Sequence, residues 1–96
     1  MRLPTFIETK RAAILAAAAR HGAGHVRVFG SQVRGDARAD SDVDILIDVV
    51  GPTTPWFPGG LVLDLESLLG KRVDVVTERG LNRLLKDRVL QEAVPL

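Results

Sequence analysis

The sequence predicts an α+β domain: a small mixed three-stranded sheet with helices packed on one face, in the order α-β-β-α-β-α. Three observations carry this. Short apolar or alternating stretches at 25–29, 42–49 and 72–77 read as strands. Longer stretches at 5–21, 61–69 and 80–93 have their apolar residues at helical spacing. Glycines and prolines punctuate the boundaries between them.

The first helix is expected over 5–21, with Thr5 and Glu8 in capping-box spacing and Ile7, Ile14, Leu15 and Ala18 on one face. Arg11 interrupts that face, and Gly22 and Gly24 end the helix. Strand 25–29 then runs into Gly30-Ser31, a helical turn over 31–35 and a loop over 36–41. In strand 42–49, Val43, Ile45, Ile47 and Val49 fall on one face and Asp42 and Asp44 on the other. The segment 51–60, with three prolines and three glycines, is a loop whose Trp56-Phe57 pair is read as a lid on the core, with a nucleobase-facing pair as the alternative. Helix 61–69 presents Leu61, Leu65, Leu68 and Leu69 and stops at Gly70. Strand 72–77 turns Val73 and Val75 inward and Asp74 outward. The last helix, 80–93, carries Leu81, Leu84, Leu85 and Val89 as its apolar stripe, with Leu90 off it. Leu46, Val76, Leu90 and the Trp56-Phe57 loop are expected to be partly exposed, as a partner-binding surface.

At 96 residues the chain is expected to be one domain, 1–96, with a modest core. A net charge of +1 gives no global attraction to nucleic acid or membrane. Without cysteine there is no disulfide and no thiolate metal site, so a metal here would take oxygen ligands. The alanine-rich run 12–19 is preceded by Glu8, Lys10 and Arg11 and is too short to span a bilayer. It reads as helix interior, and the expected location is the cytoplasm.

Asp42, Asp44 and Asp74 would share the face left open by the helices. Three carboxylates on one surface are costly without a cation, and two Mg²⁺ ions suit oxygen ligands of this kind. Upstream, Gly30 allows close backbone approach, and Ser31 opens a turn whose N–H groups and hydroxyl can hold phosphates. Arg34 can add positive charge, and Gly35 permits the exit. Taken alone, Asp42 can cap the strand, Asp44 can pair with Arg34 or Arg72, Asp74 can pair with Arg72, and Arg34 can brace the loop. Asp48, Arg27, Arg38, His21, His25 and the Lys86-Asp87-Arg88 run read as solvated surface.

Together, Gly30-Ser31 and the D-x-D pair ten residues further on form a specific pattern. With Arg34, Gly35, Ser41 and Asp74, it resembles the minimal nucleotidyltransferases of the DNA polymerase β superfamily. The similarity is to the MNT antitoxins paired with HEPN toxins in particular. The resemblance implies ATP as substrate, two Mg²⁺ ions on Asp42 and Asp44, and Asp74 completing the site beside the incoming hydroxyl. It assigns Gly30 and Ser31 to the β- and γ-phosphates, with Arg34 and Ser41 as further nucleotide contacts. It also implies transfer of AMP to a hydroxyl, expected to be a tyrosine, of a helical HEPN-type toxin, which is thereby neutralised.

The competing expectation is a non-catalytic module that neutralises a toxin by occlusion. Transfer to a small molecule such as an aminoglycoside is disfavoured because no further domain is expected to supply a pocket. No template-gripping domain is expected either, and hence no direct nucleic-acid binding; a homo-oligomer is an alternative to the toxin complex. The chain has no tyrosine, so modification of its own residues would have to use Ser or Thr.

Overall fold

The computed structural model describes residues 3–96; Met1 and Arg2, counted in the expected domain, lie outside them. The elements are α1 (Thr5–Glu8), α2 (Arg11–Arg20), β1 (Ala23–Phe29), α3 (Ser31–Arg34), β2 (Val43–Val49), α4 (Gly59–Leu69), β3 (Val73–Thr77), α5 (Arg83–Glu92) and β4 (Val94–Pro95). The sheet is mixed, in the order β3-β2-β1-β4. β1 pairs antiparallel with both β2 and β4, and β2 pairs parallel with β3 across the α4 crossover.

Among the described residues, four strands and five helices replace the expected three and three. The missed strand is β4, only two residues long and containing Pro95, which puts it at a sheet edge where alternation cannot be read. The single helix over 5–21 is two helices. Pro4 precedes α1 and no side chain caps it, so the Thr5–Glu8 capping box does not form. At the break the Thr9 hydroxyl donates to the Phe6 carbonyl, competing with the helical ladder. Gly24 lies within β1 rather than ending a helix, and Asp42 and Arg72 lie just outside their strands. The last helix starts at Arg83, not at 80, because the Asn82 side chain accepts the Leu84 N–H as an N-cap.

α2 and α4 cover one face of the sheet. Ile14, Ala17 and Ala18 of α2 and Leu61 and Leu65 of α4 pack against Val28, Val43, Ile45, Ile47, Val73 and Val75. α4 ends at Gly70 in the left-handed conformation, as its position predicts. Phe57 packs against this core, whereas Trp56 is 91% exposed, so only half of the aromatic pair acts as a lid. Leu15 and Val49, expected in the core, are exposed.

α5 corrects the expectation that all helices share one face. It lies on the side bearing Asp44, where Leu85, Val89 and Glu92 line a cleft with Gly30, Arg34 and Asp44. It buries none of its residues; Leu84 is 89% exposed and Leu85 51%. Leu46, expected to be exposed, is fully buried on that same side. Its neighbours across the sheet there are Arg27 and Val76.

Arg27 is a second correction. An extra residue in β1 between Gly24 and Arg27 shifts the register, and Arg27 ends up opposite Leu46. Its side chain is 5% exposed, paired with Asp48 at 3.0 Å and Glu78 at 3.2 Å, and it donates to the His25 carbonyl. Asp48 and the two histidines are likewise engaged rather than merely solvated. His25 bonds Asp48, and His21 bridges Thr54 and Asp64 to tie the 51–58 loop to α2 and α4.

Candidate active site

Gly30 follows β1 at φ +81°, ψ −153°, a conformation essentially reserved for glycine, and caps α3 by accepting the Val33 and Arg34 N–H groups. A Cβ at this position would collide with Asp44 Oδ2. Gly30 therefore serves Asp44 directly: its missing side chain is the space the carboxylate occupies. α3 is anchored by buried Val33 and Gln32, and Gln32 Nε2 donates 3.3 Å to the Asp42 carbonyl, fixing the entry to β2. Ser31 is the first residue of α3 and is half-buried.

Asp44 and Asp74 are direct register partners in the parallel β2–β3 pair, so their side chains leave the sheet side by side. Asp42, exposed, precedes β2 by one residue. Burial raises the Asp44 carboxyl above its ordinary range, and the negative charges of Asp74 and then Asp42 raise it further. The charges of the other two acids thus both bear on Asp44. Among the described residues, however, no three acidic or imidazole groups converge closely enough to form a ready-made metal site.

The donor set fits a hard divalent cation. It contains only carboxylate oxygen, both imidazoles are engaged with other partners, and Asp44 carries a repulsion that a cation would relieve.

The other two expected nucleotide contacts differ in availability. Arg34 reaches over the same cleft, of about 280 Å³, with Nε 3.4 Å from Asp36 and Nη1 3.1 Å from Glu92; Asp36 first, then Glu92, stabilises its charge. The Ser41 hydroxyl accepts the Arg38 N–H at 2.7 Å, closing the loop before Asp42. In this arrangement Ser41 shapes the approach to the acids.

Two residues at the site were not singled out from the sequence. Gln32 gave no signal beyond being polar in a short turn. Glu92 is not one of the apolar stripe residues of the last helix and so carried no signal of its own; its carboxylate accepts hydrogen bonds from the Gly30 N–H and from Arg34. Only the return of β4 to β1 brings it there.

This geometry has counterparts in known proteins. Residues 12–96 match the nucleotidyltransferase domain family model. A solved structure of a minimal nucleotidyltransferase superposes with a TM-score of 0.81 at 51% identity, covering 94% of this chain and 92% of that one. The protein adenylyltransferase MntA of Thermococcus cleftensis is 44% identical over 77 residues, 78% of this chain and 76% of the relative. A mutant MntA-HpeT toxin-antitoxin structure aligns with a TM-score of 0.71 at 25% identity, covering 93% of this chain and 70% of that one. The chain belongs to the nucleotidyltransferase domain family. Within that family its similarity is to the minimal nucleotidyltransferases, among them MntA. Among the described residues no helix is long and apolar enough to cross a membrane.

Proposed function

We propose that this protein is an antitoxin that transfers AMP from ATP, with Mg²⁺, to a hydroxyl of a partner toxin of the helical HEPN type. The observation that carries the reading is Asp44 beside Asp74 in parallel register, with Asp42 two residues before it and Gly30 and Arg34 across the same cleft. The Thermococcus cleftensis relative is named a protein adenylyltransferase, and the separate solved MntA-HpeT structure is described as a toxin-antitoxin, which together support the same chemistry and a toxin partner here.

In this reading Gly30, Ser31 and Arg34 hold the β- and γ-phosphates, and Ser41, at the end of the loop it closes, is a further nucleotide contact. Asp42 and Asp44 hold two Mg²⁺ ions, with Asp74 completing the site. The bound metal supplies charge neutralisation on the phosphates and eases ionisation of the acceptor hydroxyl. Asp74 orients that hydroxyl. Its oxygen bonds to the α-phosphorus, the bond from the α-phosphorus to the bridging oxygen breaks, and pyrophosphate leaves with the electron pair. The hydroxyl proton passes to solvent. A phenol suits the acceptor role because its pKa, about 10, lies well below that of an aliphatic alcohol. This chain has no tyrosine to offer, so the phenol comes from the partner. Leu85 of α5 lines the cleft and is exposed, and exposed Leu84 precedes it, which gives that partner an apolar surface at the cleft's edge.

Calorimetry with ATP and Mg²⁺ tests the site. Wild type binds, and Asp42→Asn and Asp44→Asn each abolish binding while the fold is retained. Undiminished binding in both variants would overturn the assignment.

A further inference from the structure

We propose that Glu92 is an internal competitor for the nucleotide, seated on the donors that otherwise hold the triphosphate. The inference rests on the functional reading above and adds a regulatory device to the same site.

The Glu92 carboxylate accepts the Gly30 N–H, and both its oxygens accept from Arg34 Nη1, at 3.1 and 3.3 Å. These donors, a backbone N–H beside Asp44 and an arginine over the cleft, are the ones assigned to phosphate. A carboxylate presents to them what a phosphate presents: two charged oxygens on one centre.

The placement is enforced by the chain. Directly after Ala93, Val94 and Pro95 pair with Val28 and Arg27, and the Leu96 N–H donates to the Val26 carbonyl at 2.9 Å. Glu92 is thus tethered a residue or two from β1, which keeps its carboxylate at high local concentration over the cradle. Its side chain is 15% exposed, although no residue of α5 is fully buried.

The seat is also easy to vacate. A second acid in a cleft that already holds Asp44 is repelled by it, and one glutamate bears less charge than a triphosphate with its metal. Once displaced, Glu92 has solvent on the outer side of α5 to receive it. A purely structural role, bracing Arg34, predicts the opposite effect of removing it: looser Arg34 and weaker nucleotide binding.

The test titrates full-length wild type and Glu92→Gln, Glu92→Ala and Glu92→Asp variants with Mg-ATP and, separately, with tripolyphosphate and Mg²⁺. All three variants are expected to bind both ligands more tightly, on the order of tenfold. The aspartate keeps the charge but is too short to reach, so it separates occupancy of the seat from net charge. In wild type, saturation with Mg-ATP shifts the NMR resonance of the Glu92 carboxyl carbon, a readout that needs no variant. Equal or weaker binding in the variants, or an unmoved Glu92 resonance, overturns the inference while wild-type binding leaves the proposed function standing. If neither wild type nor any variant binds ATP or tripolyphosphate, both fall together.

Discussion

The Asp44 carboxylate occupies the space that a side chain on residue 30 would fill, so Gly30 and Asp44 are a single structural decision. The glycine is required twice, by its backbone angles and by this contact.

Gly30→Ala tests the pairing. The substitution forces a Cβ into a glycine-only conformation and displaces Asp44, so the expected loss of stability is on the order of 1–3 kcal/mol. Denaturant unfolding measures it, and ATP binding is expected to fall together with stability. An alanine variant with wild-type stability and affinity would show that the two residues are independent.

Asp44 and Asp48 lie on the same strand, and their surroundings shift their carboxyls in opposite directions. Asp44 is raised by burial and by Asp74 and Asp42, so the folded state holds its proton more tightly than the unfolded one. Its contribution is therefore present at acid pH and lost as pH rises through the raised value. Asp48 is lowered, chiefly by its hydrogen bond to His25 and then by the Arg27 charge, so its contribution is present above the unfolded value and lost on acidification. At neutral pH, Asp44→Asn is expected to raise Tm by a few degrees at most, because solvent screens a half-exposed group. Asp48→Asn is expected to lower it. Both differences shrink as pH falls below the ordinary aspartate range, and melts across pH read the crossing.

Ser31 and Asp74 separate binding from transfer. Ser31→Ala is expected to weaken ATP affinity by about 1–3 kcal/mol, one hydrogen bond to an anion. Asp74→Asn is expected to leave ATP affinity within a few-fold and to slow transfer by roughly 100-fold or more, since its role is at the acceptor hydroxyl. Transfer at the wild-type rate in Asp74→Asn would reduce Asp74 to a structural acid.

The apolar surface of α5 is a partner site in this account. Leu84 is the most exposed leucine on it, so Leu84→Asp is expected to weaken toxin capture at least about tenfold while leaving ATP binding and thermal stability unchanged. Sedimentation with the toxin measures this, and undiminished capture would place the interface elsewhere.

These expectations draw unequally on the sequence. The strand bearing Asp44 was legible because period-two alternation is set by the pleat itself, and Gly70 marked the end of α4 for equally local reasons. α5 was legible as a helix but not as to its side of the sheet. Its leucine stripe implied a buried face, whereas the helix is held by Asn82 at one end and β4 at the other. Arg27 was missed because a one-residue bulge, invisible in the pattern, sets its register. Glu92 was missed because its partners lie far away in sequence and are reached only through β4.

The central claim, transfer of AMP to a partner protein, is tested most directly by incubating the protein and its cognate toxin with α-labelled ATP and Mg²⁺ and mapping the label by mass spectrometry. The account predicts AMP on a toxin tyrosine, pyrophosphate release, no label from γ-labelled ATP, and neutralisation that persists after the two proteins are separated. A toxin that carries no AMP and regains full activity on separation would contradict it and leave occlusion as the mechanism.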